Sequence, residues 1–182
     1  MSITPRYTLA AAALALCSVG AAAQKAPSAS HAYGFGTPVS ASELEPFFSP
    51  HPDGRGLPKG SGTVAQGEKV YAQQCVACHG VDLEGGIGDR LVGGRGSLPV
   101  SAGVAHVKTV ESYWPYATTV FDYVKRAMPF TSPNSMSNDD VYAVTAYLLF
   151  KANIVGADAV MNQETLPKVA MPNRNGFKPA GR

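Results

Sequence analysis

The chain is 182 residues long and nearly balanced in charge, with 15 Lys and Arg against 13 Asp and Glu for a formal net charge of +2. That length suits a leader and one modest domain, and so even a balance gives no support to nucleic-acid binding, which rests on phosphate neutralisation. Beyond the N-terminus no apolar run reaches the ~18 residues that span a bilayer.

Residues 1–23 read as a secretory signal. Arg6 supplies the positive end, an apolar core runs from Leu9 to Val19, and Ala21, Ala22 and Ala23 precede Gln24, so cleavage is expected after Ala23. A lipoprotein signal also ends at a cysteine, but Leu16 before Cys17 is larger than lipidation processing accepts. Loss of the leader leaves Cys75 and Cys78 as the thiols of the exported chain. Residues 24–62, rich in Pro, Gly and Ser, predict an extended N-terminal arm, with one short helix over residues 40–47 opened by Ser40 and Glu43. Tyr33, Phe35, Leu44, Phe47 and Phe48 make it too apolar for a solvating linker, so it is expected to lie against a surface.

Residues 63–152 predict a domain. Thr63 and Gln66 have capping-box spacing and open a helix through Val70 and Tyr71 into Cys75-Val76-Ala77-Cys78-His79. Cys-x-x-Cys-His is the attachment signature of a c-type haem. Thiols one helical turn apart lie on one face, where each adds to a haem vinyl group, and His79 follows directly to reach the iron. A structural zinc site would need a second ligand pair, and a redox dithiol needs no adjoining His and would open a helix after a strand. The glycine-laden residues 80–99 predict a loop whose backbone passes close to a flat macrocycle.

Residues 101–113 carry no clear pattern. Trp114-Pro115 then predicts a helix with Pro at its first position, Val120, Phe121, Val124 and Ala127 on its apolar face, and an end at Met128-Pro129-Phe130. Ser137 caps a last helix to about Lys151, with Val141, Val144, Tyr147 and Leu148 on one face. The fold class is thus all-α, with about three main helices and long loops. Residues 153–182, polar and punctuated by Pro167, Pro172 and Pro179, predict an extended C-terminal arm.

An electron-carrying haem needs a sixth ligand, and a thioether favours ferrous iron. Met128 is the choice, because it ends one helix and precedes the last by a loop able to fold over the iron; Met136 abuts a helix cap, and Met161 and Met171 lie in the tail. Ligation by a second His, from His31, His51 or His106, is the alternative. Arg90 and Arg95 are candidate propionate partners, as are Tyr113, Trp114 and Tyr116 through hydroxyl or indole.

These residues resemble a class I c-type cytochrome, in which the Gly67 and Tyr71 positions of the first helix cross an aromatic of the last, here Tyr147. A narrower resemblance covers more of the chain. Pro52-Asp53-Gly54, Leu57-Pro58, the haem motif, Val107-Lys108-Thr109, the stretch from Ser112 to Phe121, Arg126-Ala127-Met128-Pro129-Phe130 and Met171-Pro172-Asn173-Arg174 are similar to the haem c subunit of periplasmic sulfite dehydrogenases and to the haem domain of the Sox sulfur dehydrogenase. That resemblance implies one covalent haem c, Met128 as axial ligand, and no catalytic residue of its own. It further implies a periplasmic partnership with a molybdopterin-containing subunit that oxidises sulfite or a related sulfur compound, with electrons passed on to another cytochrome c. The Sox version carries a second haem domain, so a chain of this length sits nearer the single-haem type. A free-standing diffusible cytochrome serving a terminal oxidase or another dehydrogenase is the alternative, and a small-ligand sensor with an open iron site is a third.

Overall fold

The computed structural model describes residues 36–44, 49–98 and 106–179; the signal segment, His31, Tyr33, Phe35, Phe47 and Phe48 lie outside them. The chain divides between Val39 and Ser40, and the account below concerns the unit from Ser40 onward.

In chain order the elements are α1 (Ala41–Leu44), β1 (Ser61–Thr63), α2 (Val64–Gln74), α3 (Val76–His79), α4 (Ala117–Ala127), α5 (Asn138–Lys151), β2 (Val160–Asn162) and a 3₁₀ turn (Leu166–Lys168). The expected main helices are therefore present as α2, α4 and α5. Each begins or ends for a local reason. Thr63 accepts the Gln66 N–H at 3.2 Å while the Gln66 side chain accepts the Thr63 N–H at 2.9 Å, the reciprocal cap that spares α2 two orphan donors. Ser137 caps α5 by accepting the Asp140 N–H at 3.1 Å. Helix α4 starts at Ala117 rather than Pro115, because Tyr116 is extended (φ −138°, ψ 136°) and serves as the cap. It stops at Met128, which precedes Pro129 and is held extended at φ −122°, ψ 147°.

The centre of the unit is the crossing of α2 and α5. A Cβ on Gly67 would lie 1.9 Å from the Ala143 carbonyl oxygen and 2.7 Å from Tyr147 Cβ, so only glycine lets the two backbones touch. One turn on, the rings of Tyr71 and Tyr147 pack at 5.3 Å, as the cytochrome resemblance implies. On the far side of α5, Tyr142 stacks on Phe121 of α4 at 4.4 Å.

The sequence pattern expects one apolar face on α5, yet every residue from Val141 to Leu149 is buried. The cause lies in the flanks, which the sequence pattern reads as extended arms. From Asn153 the chain folds back: β2 pairs antiparallel with β1, setting Met161 opposite Gly62, and Met161, Leu166 and Met171 all enter the main core. The N-terminal flank is fastened as well. Tyr142 donates its hydroxyl to the Pro58 carbonyl at 2.9 Å, Asp139 accepts the Ser61 N–H at 2.7 Å, and a Cβ on Gly54 would lie 2.4 Å from Pro167 Cγ. With both flanks laid over it, α5 has no solvent side from Val141 to Leu149. Three large apolar residues scattered among Pro and polar positions make no period, which is why the pattern missed them.

Candidate haem site

Helix α2 gives way at Cys75 to the single turn α3, which presents Cys75 half-buried and Cys78 exposed. The Cys75 side chain packs on the edge of the core. Burial, with the neighbouring Cys78 adding to it, pushes the Cys75 thiol up to about 11. A redox dithiol is favoured by the opposite, a thiol pushed down. Among the described residues no three His, Cys, Asp or Glu side chains are grouped as metal donors, as a structural zinc would require.

His79 is held by the loop that follows it. Its Nδ1 lies 2.6 Å from the Asp89 carbonyl oxygen, and since a carbonyl only accepts, Nδ1 carries the proton and Nε2 keeps its lone pair for a metal. The backbone between them is tightly wound: Gly88 N donates to Cys78 O at 2.9 Å, Gly85 N to His79 O at 2.9 Å, and Gly86 N to Gly88 O at 2.9 Å. A Cβ on Gly88 would come within 2.8 Å of the imidazole, so the glycine is what allows loop and ring to meet. The Tyr71 hydroxyl closes the other side by donating to Gly80 O at 2.7 Å, with burial raising its pKa.

Among the partly covered apolar side chains packed on the core are Val70, Cys75 and Val76 in α2 and the turn after it, Leu91 and Val92 in the following loop, Trp114 ahead of α4 and Met128 at its C-terminal end. Such a fringe, beside two thiols and an imidazole with a free nitrogen, fits a large flat apolar cofactor anchored at Cys75 and Cys78. Met128 is likewise partly covered, at the C-terminal end of α4.

The candidate propionate partners divide. Arg90 is exposed in the loop. Arg95 is committed elsewhere: its Nε donates to Glu111 at 2.9 Å and its Nη2 to the Ala152 carbonyl at the end of α5 at 2.6 Å. Tyr113 and Trp114 are half-buried, with rings edge to face at 5.9 Å, and Trp114 also packs on Tyr123 at 5.5 Å. The Tyr113 carbonyl accepts from the Asn173 amide at 2.7 Å, and Arg174 stacks over Tyr116 at 4.3 Å, so the tail residues of the family-like motif fasten the entry to α4. Asp89 and Glu111 were not legible as site residues: the first acts through its backbone, and the second meets its partners only in the fold. Of the other ligand alternatives, His51 and His106 are exposed and Met136, Met161 and Met171 are buried in the core.

Residues 62–148 match the family described as cytochrome c oxidase, cbb3-type, subunit III. A chain in the solved structure of the sulfane dehydrogenase SoxCD from Paracoccus pantotrophus superposes with a TM-score of 0.73 at 43% identity, covering 81% of this chain and 72% of that one. The chain belongs to the c-type cytochromes related to the cytochrome subunits of sulfur dehydrogenases. The cytochrome carries a covalently attached haem c, and its role is to move electrons rather than to make or break bonds. Among curated proteins it is 29% identical over 96 residues to a thiosulfate dehydrogenase of Stutzerimonas stutzeri and 51% identical over 39 residues to cytochrome c-551 of Bacillus subtilis. The matched regions cover only 28% and 35% of those relatives' lengths, respectively. Among the described residues no helix is long and apolar enough to cross a membrane.

Proposed function

We propose that the cytochrome works in the periplasm as the electron-accepting subunit of a sulfur dehydrogenase. It takes single electrons from a molybdenum-cofactor subunit that oxidises sulfite or a related inorganic sulfur compound, and passes them to a second cytochrome c. In this reading Cys75 and Cys78 form the thioethers, His79 Nε2 and the Met128 thioether bind the iron, and Arg90, Tyr113 and Trp114 face the propionates. The haem supplies a ferric-ferrous couple. The chain's part is to hold the macrocycle in an apolar fringe, fix the imidazole tautomer through Asp89, and keep small ligands from the iron with Met128.

The observation that carries the partner is the extent of the SoxCD likeness. The family match ends at residue 148, whereas the structural match takes in 81% of the chain and so includes flanking sequence. A diffusible carrier needs only the haem domain. Purification from the native source tests the proposal: a molybdopterin protein should co-elute, and sulfite or thiosulfate should reduce the haem only in its presence. A monomer that no sulfur compound reduces, with or without that protein, would return the chain to the diffusible carriers.

A further inference from the structure

We propose that Glu111, acting with Arg95, is a positioning residue for the iron-binding imidazole: it holds the loop whose Asp89 carbonyl orients His79. The inference rests on the reading of His79 as the proximal ligand.

Glu111 is 8% exposed, and both of its carboxylate oxygens are used on one stretch of loop. Oε1 accepts the Gly93 N–H and Oε2 accepts Arg95 Nε at 2.9 Å. Its neighbours grip the same stretch: Val110 N donates to Leu91 O at 3.0 Å, and the Thr109 hydroxyl donates to Gly93 O at 2.6 Å. The loop is thus fastened at Leu91, Gly93 and Arg95, through a stretch that turns at Gly93 and Gly94, both with positive φ. Asp89, whose carbonyl meets Nδ1, lies two residues before Leu91 on the same loop.

Arg95 carries the brace onward, because its Nη2 donates to Ala152 O, satisfying a carbonyl left over at the C-terminal end of α5. Glu111 is therefore the joint between the haem loop, the segment leading into α4, and the helix at the centre of the fold. A neutral side chain would serve if the purpose were only to fill space, since burying a carboxylate is costly unless its oxygens are paired. The Arg95 side chain is 47% exposed and that of Glu111 10%, so the pair contributes little as a bare salt bridge and acts through its geometry. A carbonyl held firmly on Nδ1–H makes the imidazole a stronger donor and favours ferric iron; a loosened loop weakens that bond and favours ferrous.

The test uses the intact haem-loaded protein with Glu111→Gln and Arg95→Lys, reading the midpoint potential and the His79 Nδ1–H resonance. Both variants should raise the ferrous-to-ferric ratio at fixed poise about threefold, or ~30 mV at 59 mV per tenfold, and both should speed exchange of the Nδ1 proton. Arg95→Lys preserves charge and loses the forked geometry, so it decides the matter alone if Glu111→Gln does not mature. A potential unchanged in Arg95→Lys overturns the proposal and reduces any effect of Glu111→Gln to loss of a nearby negative charge. Wild-type protein lacking haem on Cys75 and Cys78 would instead remove the reading of the site, and the inference with it.

Discussion

The two ends of α2 are built on opposite terms. Its N-terminal half packs one face on α5 and β1, with Gly67 at the crossing and Val64, Gly67 and Tyr71 buried, while Gln66, Glu68 and Lys69 face solvent. Its C-terminal end runs into α3 and a loop with little regular structure, where backbone hydrogen bonds hold the chain and apolar residues remain half covered. The first end is complete as a protein; the second is shaped for a group the chain does not encode. A cytochrome needs both, because a rigid crossing fixes where the loop starts and the loop's glycines let it follow a macrocycle.

Substitutions break that comparison at each end. The largest effect is expected from Cys78→Ser together with Cys75→Ser, which should abolish covalent haem, read as loss of haem staining on a denaturing gel. Met128→Ala should leave haem attached but abolish the ferric methionine-to-iron charge-transfer band; a band that survives moves the sixth ligand elsewhere. At the enclosed end, Gly67→Val places a side chain where Ala143 O already lies 1.9 Å from the Cβ position. It should cost about 3 kcal/mol in denaturant unfolding. Leu166→Ala, at a fully buried site, should likewise cost about 3 kcal/mol; a change within error would mean that the tail is not part of the core. Thr63→Ala, which removes the α2 cap, should cost about 1 kcal/mol with the potential unchanged.

Cys75, Cys78 and His79 were legible because covalent attachment demands fixed types at fixed spacing. The Thr63 and Gln66 cap was legible because it closes within one turn, and Gly67 and Tyr147 because the family resemblance marks that crossing. Met161, Leu166 and Met171 were not legible, since irregular backbone buries residues without a period. Arg95 shows what the sequence leaves out: nothing local says that Glu111 and the end of α5 will bind its guanidinium.

Local chemistry written along the chain therefore pointed to the cofactor, its proposed anchor points and the caps of α2 and α5, since each depends on neighbours a few residues apart. Which residues brace the iron ligand, and that both flanks belong to the core, depended on groups far apart in sequence. Arg95 and the end of α5, Tyr142 and Pro58, and Gly62 and Met161 become partners only once the chain has folded back on itself, because hydrogen bonds and burial act over a few ångströms whatever the length of chain between them.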